Sequence, residues 1–161
     1  MRKGFLAVLA VVLLLGLVCS AQAFQFGFVP MAPQTPAHWP VGAGGQVTYQ
    51  TFFGTTAFVF MGQGLVPGEA YELVAKSLTA PTTGQVFCLG EAQASMGGGS
   101  GSASPKAGAL NLYAPVPLSS IPKGKVQFIL LPACQVNCAG HSFAGFNPDE
   151  AFFGASIVTI R

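Results

Sequence analysis

The sequence predicts an all-β fold, a sandwich of about seven strands, and three observations lead there. Short apolar segments rich in Val, Phe, Tyr and Thr recur from Gln46 onward at roughly ten- to fifteen-residue spacing, the composition of packed strands. Gly, Pro and Ser separate those segments, as turn punctuation does. No window carries a sustained 3.6-residue apolar period, which disfavours helical architectures. Hydrophobic residues make up 51% of the 161-residue chain and charged residues 7%, which excludes a disordered polyelectrolyte, a coiled coil and an electrostatically driven nucleic-acid binder.

The first element is a leader. Met1-Arg2-Lys3 is a positive start, an apolar stretch runs from Phe5 to Val18, and Ala21-Gln22-Ala23 is a small-x-small cleavage site. This is the pattern of a secretory signal peptide over residues 1–23. A retained anchor would need ~20 apolar residues, and the run has about 14. A lipoprotein would acylate Cys19, but bulky Val18 precedes it where a small residue is expected. The mature chain is therefore expected to begin near Phe24, in a secreted or periplasmic location, without a membrane span. Its removal leaves about 140 residues, the size of one domain. Lys76, Lys106, Lys123, Lys125 and Arg161 then balance Glu69, Glu72, Glu91, Asp149 and Glu150. No basic cluster remains for a phosphate backbone or an anionic surface.

Residues 24–45 hold Pro30, Pro33, Pro36 and Pro40, followed by Gly42, Gly44 and Gly45, and read as an extended N-terminal arm. The domain proper spans 46–161. Its candidate strands are 46–53, 56–62, 70–78, 84–92, 107–114, 125–131 and 151–160. In the second, Phe58 and Phe60 alternate with Ala57, Val59 and Met61, so both faces are apolar and the strand reads as buried on two sides. In the third, Tyr71, Leu73 and Ala75 alternate with Glu72, Val74 and Lys76, which reads as half-exposed. Residues 95–104, with four glycines, form a low-complexity loop; no Lys-Ser/Thr follows to make it a phosphate cradle.

The mature chain keeps Cys88, Cys134 and Cys138, an odd count in an exported protein. A Cys88–Cys138 bridge would close a loop of about 50 residues and stabilise by ~4 kcal/mol through the unfolded chain. Cys134–Cys138 would close only a tiny loop, and Cys88–Cys134 is the third connectivity; the residues leave the choice open. The alternative chemistry is a metal site, with Cys88, Cys134, Cys138 and His141 as a Cys₃His set for zinc. The C-x₃-C-x₂-H spacing is not a common zinc pattern, and an oxidising space favours disulfides. Haem attachment has the wrong spacing, and Met31, Met61 and Met96 with the histidines do not cluster for copper. No cofactor is expected.

Two resemblances add to this. Gly64-Leu65-Val66-Pro67-Gly68-Glu69-Ala70-Tyr71-Glu72-Leu73 resembles the tyrosine corner of fibronectin type III and related immunoglobulin-like sandwiches. The resemblance implies that fold, with the Tyr71 hydroxyl bonding upstream backbone. Cys88-Leu89-Gly90, Val136-Asn137-Cys138, Gly145-Phe146-Asn147-Pro148 and Phe152-Phe153 together resemble small secreted microbial β-domain proteins of unassigned function. That resemblance implies a Cys88–Cys138 pairing and no chemistry.

Catalytic material is sparse. Asp149 and Glu150 are adjacent and would point to opposite faces of a strand, and no G-x-S-x-G elbow is present. His141, Ser142 and Asp149 form a triad only on paper. The single Trp, Trp39, lies in the arm, either packing it down or offering an aromatic contact to a partner chain or a sugar ring. The 14 phenylalanines read mainly as core supply; an excess at the surface would mean self-association. The expected function is that of an exported, non-enzymatic binding or structural module, with metal binding as the alternative and protein or self-association as the partner class.

Overall fold

The computed structural model describes residues 25–96 and 108–161. The expected leader, Phe24 and most of the Gly/Ser-rich segment lie outside the described residues. The strands are β1 (Phe26–Pro33), β2 (Gly44–Phe52), β3 (Thr55–Leu65), β4 (Ala70–Ser77), β5 (Val86–Gln93), β6 (Ser95–Met96), β7 (Gly108–Pro117), β8 (Gly124–Pro132), β9 (Val136–Asn137), β10 (Ser142–Phe143), β11 (Phe152–Gly154) and β12 (Val158–Ile160). Only short 3₁₀ turns interrupt them among the described residues, so the fold is all-β.

The main sheet is antiparallel and runs β5-β4-β8-β11-β1-β2-β3-β7-β6, with β12 also pairing β8. It curls until its two ends approach. Gly90 of β5 lies against Ala114 of β7, so closely that a Cβ on the glycine would stand 2.6 Å from the alanine methyl. The architecture is nearer to a flattened barrel than to two separate sheets. The expected count of seven strands is therefore too low. All seven segments are strands, but 151–160 splits at Ala155–Ile157 into β11 and β12, and β1, β6, β9 and β10 are additional.

The larger correction concerns the arm. Phe26–Pro33 lies inside the sheet, pairing β2 from Phe26↔Gln50 to Met31↔Gly45 and β11 from Met31↔Gly154 to Pro33↔Phe152. Proline punctuation hid it, yet the proline is harmless here. The carbonyl of Pro30 accepts from Ala155 N–H, just past the last residue of β11. Its missing donor faces the same side, where the ladder has already ended. The rest of the arm is pinned too. The Trp39 ring packs 4.6 Å from Phe152, and its indole N–H donates to the Asp149 carbonyl at 2.8 Å.

The inward residues of both halves form one core, with Val29, Val47, Phe58 and Phe60 on one side and Leu73, Phe128, Leu130 and Phe152 on the other. Gly27 has a specific role here: the Tyr49 ring lies directly over it, where a Cβ would stand 2.2 Å from Cζ.

A second cluster covers the outside of β4, β8 and β11. Val74, Val86, Ile129, Leu131 and Ala151 are buried, with Phe153 of β11 packed beside them and Val136, Phe143 and Phe146 over them. The cover is the segment 133–150, which carries the β9–β10 hairpin. Gln135 braces it, donating to the Glu150 carboxylate and accepting the Asn147 N–H at 2.8 Å. As a result β4 is buried on both faces and β3 on one, the reverse of the alternation pattern's implication.

Candidate binding face

The outward residues of β1, β2, β3 and β7 follow from register. One cross-strand row is Phe28, Thr48, Val59 and Tyr113; its neighbours are Phe26, Gln50, Ala57 and Pro115, and Pro30, Gln46, Met61 and Asn111. No Asp, Glu, Lys or Arg occurs in any of these four strands. Phe26, Phe28, Phe52, Met61 and Tyr113 are 51–68% exposed. Nothing among the described residues covers them.

Two shallow grooves cross this face. One, of about 370 Å³, is lined by Gln50, Phe52, Thr55, Ala57, Tyr113 and Pro115. The other, of about 400 Å³, runs over Gly45, Gln46, Met61 and Gln63. Apart from the Tyr113 phenol, neither is lined by an ionisable group.

The β2–β3 turn extends the apolar rim. Phe53 and Gly54 form a two-residue hairpin with φ of 45° and 75°, the geometry that usually selects Asn-Gly. A bulky residue at positive φ is strained. Here it holds an 80% exposed ring edge-on against Phe52, with centroids 4.1 Å apart.

The residues singled out from sequence lie elsewhere. Cys88 and Cys138 are bonded to each other, one of the three connectivities open in the sequence, and Cys134 is free and exposed. The disulfide ties β5 to the covering segment. The Cys/His set is not gathered: among the described residues the group with ligand atoms close together is Glu72, Cys88 and Cys138. Both sulfurs of that group are spent in the disulfide, so neither offers a thiolate to a metal. The His141 Nδ1 lies 3.2 Å from the Val86 carbonyl, and its ring packs on Phe87.

Tyr71 is buried, and its hydroxyl accepts the Val66 N–H at 3.2 Å and donates to Glu69 at 3.1 Å. Burial pushes its phenol far above the usual range, with Glu69 adding to the rise. Asp149 accepts from Thr35 Oγ1 at 2.6 Å and lies 3.4 Å from His38 Nδ1, tying the segment after β1 to the covering segment.

Glu72 is the residue whose sequence environment misled most. The alternation along β4 points it to solvent, yet it is buried beneath the cover beside the disulfide. Burial raises its carboxyl to about 7, the Gly90 N–H opposing and Glu91 reinforcing the rise.

The open face itself has a signal in sequence: four strand segments free of charge, with Phe26 and Phe28 at alternate positions in the first. No protein-family model, no curated protein and no solved structure matches the chain.

Proposed function

We propose that this protein is an exported, non-enzymatic binding or structural module of immunoglobulin- or fibronectin type III-like ancestry, working through the outer face of β1, β2, β3 and β7. The observation that carries this reading is the uncharged, aromatic-rich exposure of that face. Contiguous apolar patches beyond ~300–600 Å² are rare on monomers and mark interaction surfaces. The Tyr71 corner supports the ancestry. The leader pattern and the Cys88–Cys138 bond support a secreted or periplasmic location. Both grooves lack carboxylate, imidazole and thiol groups, which supports binding over acid–base catalysis.

The test uses a neutral apolar dye, Nile red, with the mature chain at about 1 μM. The folded protein is expected to bind the dye, and Met61→Lys to lose most of that binding while keeping its β-sheet circular dichroism. Lysine keeps the unbranched stem of methionine and adds only the charge. Dye binding that is unchanged in the folded variant, or absent from the wild type, removes this face as the binding surface.

A further inference from the structure

We propose that the outer face of β1, β2, β3 and β7 is an isologous interface, and that its occupant is a second copy of this chain. The inference rests on the binding-face reading and names the partner.

Area is the first support. An aromatic side chain buries ~150–250 Å² when fully covered. Phe26, Phe28, Phe52 and Tyr113, each more than half exposed, therefore offer about 400–500 Å² between them. With Met61, Val59 and the prolines the face approaches the ~800 Å² per partner of a standard stable interface.

Charge is the second. A two-fold interface brings each residue against a patch that contains its own copy, so any charge on the patch meets like charge near the axis. The four strands carry none. Lys76, Glu91, Lys125, Asp149 and Arg161 all belong to other parts of the chain. Two such faces can stack at ordinary sheet–sheet distance, ~10 Å, with no ion desolvated.

The sheet edge supplies the third, because it disfavours the other way for two copies to meet. The Leu118 N–H donates to Gly54 on the β3 side, so Pro115 and Pro117 turn their nitrogens to the free edge of β7. Neither has a donor to offer an incoming strand, and β6 already covers the edge at Gly108 and Ala109. Association is left to the face. The covered half of the molecule shows what suits such a surface: there the chain lays Phe143 and Phe146 over it, and a second copy of the open face brings Phe28, Phe52 and Tyr113.

Sedimentation velocity of the mature chain from 1 to 500 μM tests this. The expected result is a monomer–dimer equilibrium, with Met61→Lys weakening the dimer at least ~100-fold because it buries two unpaired like charges. Phe53→Asn is the second variant. Asparagine suits the positive φ of the turn, so this variant is expected to melt higher than the wild type yet dimerise several-fold more weakly. A wild type that remains monomeric at 500 μM overturns the proposal, as does a dimer indifferent to Met61→Lys. A monomer that still binds Nile red in a Met61-dependent way removes the second copy and leaves the binding face standing. A monomer retained on an insoluble neutral polysaccharide through the same face gives the site to a sugar partner instead.

Discussion

The two outer faces of the sheet are both largely apolar and end in opposite states. Outside β4, β8 and β11, Val74, Ile129 and Leu131 lie under the segment 133–150 and are at most 1% exposed. Outside β1, β2, β3 and β7, Phe28, Met61 and Tyr113 stand in the open. The open face carries no charged residue while the covered one includes Glu72, so composition does not explain which is closed; the difference is a tether. The Cys88–Cys138 bond anchors the covering segment to β5, and Gln135 holds its shape from within. Nothing equivalent reaches across the other face among the described residues. A sheet face is closed only if the chain elsewhere supplies an apolar lid and a means of keeping it there.

The tether is the place to break this comparison, and the largest effect is expected there. Replacing both partners, Cys88→Ala with Cys138→Ala, frees a loop spanning a sequence separation of 50 residues and is expected to lower unfolding stability by ~4 kcal/mol. Urea denaturation followed by fluorescence measures it. Hydrogen exchange should quicken in 133–150 and in β4 more than in β2 and β3. A loss below ~1 kcal/mol, or uniform quickening, would show that the cover stays in place without the bond.

Glu72 sharpens the comparison through pH. Its carboxyl is raised from 4.5 to about 7 by burial under the cover. The folded protein thus keeps a proton that the unfolded chain releases. The stabilisation is complete below pH 4.5, declines as pH rises, and is lost once pH passes 7. The span is at most about 3 kcal/mol. Glu72→Gln mimics the protonated acid, so its urea midpoint should show a much flatter decline between pH 4.5 and 8 and exceed the wild type's at pH 8. Parallel slopes in the two proteins would place the carboxylate in water and the cover off β4.

These two faces also mark how far the sequence could be read. The seven strand segments were legible because Val, Phe and Thr runs between glycines and prolines are local signals. The fate of each face was not. Met61 and Val59 on β3 read as buried, and Glu72 on β4 read as exposed, because period-two alternation says which residues share a face and nothing about what covers it. The lid over Glu72 comes from more than 60 residues downstream. β1 was missed for a related reason. Pro30 and Pro33 looked like breakers, and only the position of β11 shows that the missing N–H of Pro30 faces no partner. The open face hides in plain composition: Phe26, Phe28 and Phe52 read as core supply, although the absence of charge from the same segments is visible in the sequence.

The smallest expected effect is the most diagnostic of the open face. Met61→Ala removes an exposed thioether that packs under no other part of the described chain, so in dilute solution the unfolding free energy should change by no more than ~0.5 kcal/mol. At high concentration the outcome should differ. If two copies meet on this face, dimerisation stabilises the folded state by mass action, and the wild-type melting temperature rises with concentration. Met61→Ala loses buried area at the contact and should rise less. Scanning calorimetry from 5 to 500 μM therefore separates the two properties of one side chain, inert within the monomer and active between monomers. A dilute-solution loss above ~1.5 kcal/mol would mean that Met61 is already packed within its own chain, and the contrast between a lidded and an open face would collapse.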